Sequence, residues 1–290
     1  MSYNFMNQKE NPIKFLALSS LLTLVIASDF IVIKIGLSCG TPLIFAGLRY
    51  LIGGFILFLV VVSRFRFISH LSNIYIAFIL GIIATLEFGF LYIGIQYINA
   101  GTASILYNTQ PIIVSIMAIF LLKEPFTWEK FSAILTGFIG VLLIFIESLS
   151  SDTATIGSVF VLLSALSWAL NTIIFKKMVK NEFVMQTTSF LLLSAGMFLI
   201  FIGAFLEDPP VFTIKYIVTL LYLAIIGSAF GITLWFYLVT QYGASRTSIC
   251  LFLVPAFSTL LGYLILGENI YLTDILGIFL IGISIYILNK

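Results

Sequence analysis

Two carboxylates lie in the middle of otherwise apolar runs. Asp29 sits within Val25-Ile26-Ala27-Ser28-Asp29-Phe30-Ile31-Val32-Ile33, and Glu87 stands between Leu86 and Phe88. An ionisable group in hydrocarbon costs a few kcal/mol, so each acid is expected to face a cavity or a partner. Asp29 can bind an amine or carry a coupling proton; alternatively it pairs with Lys34 or Arg49 and holds helices together. Glu87 can exchange a proton with substrate or solvent, or sit as a neutral acid bonded to neighbouring backbone.

A second polar feature is Tyr107-Asn108-Thr109-Gln110-Pro111. Pro111 removes the backbone bond that the carbonyl of Tyr107 would accept, which marks a kink or hinge. Such a turn is expected to face the interior, because lipid offers its polar groups nothing. Its counterpart Leu251-Phe252-Leu253-Val254-Pro255 is wholly apolar. Of the aromatics, Trp168 beside Asn171 and Trp235 beside Tyr237 are candidate binding groups, although Trp235, near the predicted cytoplasmic end of its span, fits an interface belt equally well. Tyr92 is one and a half turns from Glu87 and should point to the opposite face. Arg49 either receives a substrate carboxylate or snorkels to the interface, and the structural role is favoured. Gly227-Ser228-Ala229-Phe230-Gly231 reads as a helix-packing motif.

With 61% apolar and 9% charged residues, and a mean hydropathy of +1.19, the chain cannot present a water-soluble surface, since soluble domains carry about 25% charged residues. A net charge of +2 without a basic patch excludes nucleic acid as a partner. Cys39 and Cys250 have neither metal-ligand nor disulfide spacing and read as packing thiols, so no metal or cofactor is expected.

Polar breaks divide the chain into ten segments of membrane-spanning length, about 20 residues each. They run 14–34, 44–63, 74–95, 101–122 and 128–147, then 155–175, 184–206, 214–237, 244–266 and 270–288. With the N-terminus inside, 11 of the 14 Lys and Arg fall on the cytoplasmic side. The positive-inside rule therefore places both termini in the cytoplasm. The halves also repeat: Ser104, Pro111 and Glu124 recur 144 residues later as Ser248, Pro255 and Glu268. Five spans is an odd number, so the second half must be inverted relative to the first. The expected fold is all-α and integral to the membrane, ten transmembrane helices in two inverted five-helix repeats over 14–147 and 155–288. Inverted repeats are the build of secondary transporters, with the substrate site between them. Glu124 and Glu268 read as boundary residues.

Ten spans in two halves, each ending QY-x-A-x-x-(A/T)-S-I…P…E, resemble the EamA-type branch of the drug/metabolite transporter superfamily. Pro42 followed by Leu48-Arg49-Tyr50, and Trp168-Ala169-Leu170-Asn171 with Lys176, are similar to that branch's motifs. In the first half Ile26, Asp29 and Lys34 occupy the positions of Trp168, Asn171 and Lys176. The resemblance implies movement of a small metabolite across the cytoplasmic (inner) membrane without ATP hydrolysis, often outward; the sequence does not choose between a monomer and a homodimer. It also implies a cavity lined by spans 1, 3, 4, 6, 8 and 9.

The residues then point to a solute of amino acid or organic cation type, driven either by a proton gradient, with protons as the coupling ion, or by the solute's own gradient alone. The expected site is Asp29, Glu87, Tyr107, Asn108, Gln110, Trp168, Asn171 and Trp235, with hinges at Pro111 and Pro255. Uptake or exchange of another solute, such as a nucleotide-derived one, is the alternative. An intramembrane enzyme is disfavoured: the only histidine, His70, falls in a loop, so no Ser–His dyad or HExxH zinc site can form within the membrane.

Overall fold

The computed structural model describes residues 12–64, 71–123, 125, 127–146, 152–267 and 272–288. The termini, His70, Glu124 and Glu268 lie outside the described residues. All the elements described are helical, as a backbone immersed in lipid requires, because helices satisfy their N–H and C=O groups internally. The first half comprises α1 (Pro12–Leu37), α2 (Pro42–Arg64), α3 (Leu71–Tyr97), α4 (Ala100–Tyr107), α5 (Gln110–Leu121) and α6 (Trp128–Ile146). The second comprises α7 (Asp152–Met178), α8 (Val184–Leu206), α9 (Ile214–Tyr222), α10 (Thr233–Tyr242), α11 (Ala244–Cys250), α12 (Leu253–Leu261) and α13 (Leu272–Leu288).

Among the described residues, eight helical stretches are long and apolar enough to cross a membrane. α6 and α13, which fall within two other expected segments, pack side by side; Ser284 Oγ donates to the Ala133 carbonyl at 2.5 Å. Three expected spans differ in detail. The stretch 101–122 is not one helix but α4 and α5, broken at Asn108-Thr109, and 244–266 is α11 and α12, broken at Leu251-Phe252. The physical cause in the first is Pro111 at the start of α5, which has no N–H to give. Through both breaks the chain makes three-residue turns, such as Thr109 N to Leu106 O at 3.1 Å and Leu251 N to Ser248 O at 3.0 Å. Third, 214–237 extends to Tyr242, and its middle, Leu223–Ile232, is wound as a π-helix between α9 and α10. Such wide turns recur at functional sites.

The broken helices cross each other, α4 on α12 and α5 on α11, and Ser104 and Ser258 share a hydroxyl bond of 2.6 Å at the first crossing. α2 and α8 lie against each other through glycines. A Cβ on Gly196 would stand 2.9 Å from the Gly47 carbonyl oxygen, so only glycine lets the two backbones meet here. Glu207, just past α8, fastens the same pair by accepting from Leu43 N at 2.7 Å and Ile44 N at 2.9 Å in the first turn of α2. A carboxylate there answers both the unpaired N–H groups and the positive end of the helix dipole.

α3 and α7 run antiparallel. Gly94 near the end of α3 packs against Gly157 near the start of α7, while Asn171 farther along α7 reaches back to Leu80. These helices, with α1, α2, α4 and the π-helical stretch, surround a central cavity.

Candidate functional site

The cavity is about 50 Å³, room for roughly three or four water molecules. Its wall carries Asp29 and Phe30 from α1, Arg49 and Tyr50 from α2, Glu87 and Phe88 from α3, and Tyr107 from α4. Trp168 of α7, Trp235 of α10, and Gly227 and Gly231 of the π-helical stretch complete it.

Arg49 is the hub. It is 3% exposed, and each nitrogen of its fork takes a different helix. Nη2 pairs with Asp29 Oδ2 on α1, Nη1 donates to Tyr92 OH on α3 at 2.9 Å, and Nε donates to Ser228 Oγ at 2.8 Å. A planar, always-charged fork suits three fixed acceptors in a dry site. Above the pair lies backbone. A Cβ on Gly227 would stand 2.5 Å from both Asp29 carboxylate oxygens and 2.6 Å from Arg49 Nη2. Gly227 of the glycine motif thus admits an ion pair rather than another helix, while a Cβ on Gly231 would meet Val25 at 3.0 Å.

Glu87 is placed differently. It is 1% exposed, and Oε1 accepts from Tyr107 OH at 3.2 Å. Oε2 has no partner among the described residues. The Asp29 and Arg49 charges cancel, which leaves Glu87 as the one uncompensated acid on the cavity wall. Beside it the wall is aromatic. Trp168 lies 5.2 Å from Trp235 and 6.1 Å from Tyr107, measured between ring centres. Both indole N–H groups are buried without an acceptor among the described residues. Tyr50 stacks on Phe88 with centres 3.6 Å apart.

The pattern of the EamA-like transporter family matches this chain twice, over residues 13–146 and 155–290. The chain belongs to that family. As an EamA-like protein it is a multi-pass membrane transporter and not an enzyme. It is 31% identical over 274 residues to "Uncharacterized transporter YoaV" of Bacillus subtilis (strain 168), covering 91% of this chain and 93% of that one. It is 29% identical over 288 residues to a Salmonella typhimurium (strain LT2) protein named "Probable amino-acid metabolite efflux pump", covering 94% and 93%. A crystal structure of a protein 12% identical in sequence superposes with a TM-score of 0.76 over 95% of this chain and 96% of the other, which shows the shared fold.

Of the eight residues expected to form the site, five meet at the cavity of this EamA-like transporter: Asp29, Glu87, Tyr107, Trp168 and Trp235. Trp235 is fully buried, not in an interface belt, because its helix continues to Tyr242 and carries the ring inside the bundle. Asn108, Gln110 and Asn171 are buried but off the cavity wall. Asn108 Nδ2 donates to Ser104 O at 2.6 Å and Thr109 Oγ1 to Leu106 O at 2.8 Å, so these side chains cap the helix break itself. Asn171 Nδ2 donates to the Leu80 carbonyl of α3 at 3.1 Å, joining two helices. Pro111 and Pro255 lie just after the two breaks.

Three residues of the site were read otherwise from the sequence or passed over. Arg49 is not at an interface: α2 begins at Pro42, a favoured first helical residue, so Arg49 lies two turns inside. Tyr92 is off the cavity wall, in keeping with its offset from Glu87, but the Arg49 fork ties it to the site. Tyr50 carried no polar signal beyond following Arg49.

Proposed function

We propose that this EamA-like transporter moves a small amine-bearing metabolite, of amino acid or organic cation type, outward across the cytoplasmic membrane by alternating access. The observation that carries this reading is the lone carboxylate of Glu87 beside an aromatic wall. A site with one carboxyl group that no cation of the protein matches, and several π faces, suits a single ammonium attached to apolar surface. Glu87 holds the ammonium or, in its place, a proton, and that exchange is the coupling step. Arg49 is already engaged by three partners, so no cluster of free cations is there to receive a phosphorylated sugar. The name of the Salmonella relative agrees with an amino-acid-type solute. The cavity is far smaller than a metabolite needs, so its walls part to load and to release.

Ten spans in two inverted halves supply the two ways of parting. Support comes from the family pattern matching each half, from the breaks at Asn108 and Leu251, and from the antiparallel α3–α7 pair. The test of the substrate class is a melting screen of purified protein against metabolites. An amine at a hundredfold excess over its Kd stabilises by about 2.7 kcal/mol, and proteoliposomes should then move that amine. Stabilisation by dianionic phosphates alone would overturn the reading.

The proposed orientation, with both termini cytoplasmic, rests on the distribution of basic residues. A cysteine placed at Asp208 should react with an impermeant maleimide from outside intact cells, and one at Lys177 should not. The reverse pattern would invert the molecule.

A further inference from the structure

Lys34 and Lys176 hold matching positions in the two halves and make the same kind of contact. Near the end of α1, Lys34 Nζ donates to the carbonyls of Ile95 and Ile98, each at 2.7 Å, at the C-terminus of α3. Near the end of α7, Lys176 Nζ donates to the Thr240 carbonyl at 2.8 Å, at the C-terminus of α10. The last carbonyls of a helix have no partner within it and carry the negative end of its dipole, so an ammonium is well suited to bind there. In both cases the tie joins two helices of the cavity wall. Ile33 and Leu91 line the cavity, and the Lys34 tie lies about a turn beyond them. Trp168 and Trp235 line it as well, and the Lys176 tie lies beyond these in the other direction.

The ties are at opposite ends. Gly94 of α3 packs on Gly157 of α7 and Leu80 faces Asn171, so the C-terminus of α3 is beside the beginning of α7. Lys176 is at the far end of α7. One tie therefore lies toward each end of the bundle, with the cavity between them.

We propose that Lys34 and Lys176 are the two latches of the translocation path, positioning residues that each close one end of the cavity by holding the C-terminus of a wall helix. This rests on the alternating-access reading, in which one end opens while the other stays shut. Breaking one latch then opens one end. Neither lysine touches the solute; each sets the fraction of time its own side is closed.

The test is side-selective labelling in sealed vesicles. Cys39 and Cys250 are replaced by Ser and Ala, and Ile26→Cys places a thiol on the cavity wall. Cys39, in the loop just after α1, serves in a separate parent chain to identify which side of the vesicle carries the Lys34 end. Lys34→Met should raise maleimide labelling of Ile26→Cys from the Lys34 side about tenfold, the worth of a charge-assisted hydrogen bond. It should not raise labelling from the other side. Lys176→Met should do the converse, and Lys34→Arg and Lys176→Arg, which keep a donating cation, should return labelling to the parent level. Lys34→Gln replaces the methionine variant if that one does not reach the membrane. Labelling that is unchanged, or that rises from both sides together, overturns the latches. If an amine that stabilises the protein leaves labelling of the parent Ile26→Cys chain unaltered, the transport reading falls, whatever the lysine variants show.

Discussion

Glu87→Gln should abolish the thermal stabilisation produced by amine solutes and cut their transport at least roughly tenfold, while the protein melts at or above the wild-type temperature. The two halves of this expectation have separate causes. An ammonium held by a buried carboxylate makes a charge-assisted hydrogen bond worth about 1.5–3 kcal/mol, and a glutamine offers its amide oxygen without the charge. Each 1.4 kcal/mol is tenfold in affinity, so the loss is readily measured. The fold does not depend on that charge. Among the described residues Glu87 Oε2 has no partner, and the bond to its carboxylate, from Tyr107 OH at 3.2 Å, can be accepted by a glutamine oxygen as well. A buried carboxylate costs more desolvation free energy than an amide of the same shape. Wild-type transport of an amine by Glu87→Gln would refute the carboxylate mechanism. It would leave a transporter that recognises its solute through Tyr107, Trp168 and Trp235.

The two carboxylates were legible because of where they stand: neither Asp29 nor Glu87 can be explained as lipid-facing. What separates them was not legible. Asp29 could pair with Lys34 or with Arg49, and sequence spacing cannot choose between partners on different helices. Packing chose Arg49 and sent Lys34 to the end of α3. Hydropathy located α2 but blurred its start, and that uncertainty set Arg49 too near the interface. The same blur at the end of α10 displaced Trp235. Proline announced the break before α5, yet the polarity of Asn108 and Thr109 was a poor guide to the cavity. A broken helix in lipid must satisfy its own carbonyls, and those side chains do so locally. The π-helical stretch has no signature in an apolar run; only the glycine at 227, beside an ion pair that periodicity does not show, hints at it.

Arg49→Met should be the most destabilising single change at the site. It leaves the Asp29 carboxylate buried beneath Gly227 with no countercharge, and breaking such a pair from one side costs about 3–5 kcal/mol. Tyr92 OH and Ser228 Oγ lose their donor in the same step. Asp29→Asn strands the guanidinium in turn, but less severely, because Tyr92 and Ser228 still accept from it. The double variant Asp29→Asn/Arg49→Met removes both charges, and its melting temperature should lie well above that of Arg49→Met alone. The coupling term of the cycle isolates the pair from the rest of the site. Arg49→Lys should fall between wild type and Arg49→Met: the ammonium can stay near Asp29 but cannot also span to α3 and to the π-helical stretch. Additive effects of the two single changes would mean that Asp29 and Arg49 are stabilised independently. The cancellation that singles out Glu87 as the acting charge would then fail with them, since Asp29 would carry an uncompensated charge of its own into the cavity.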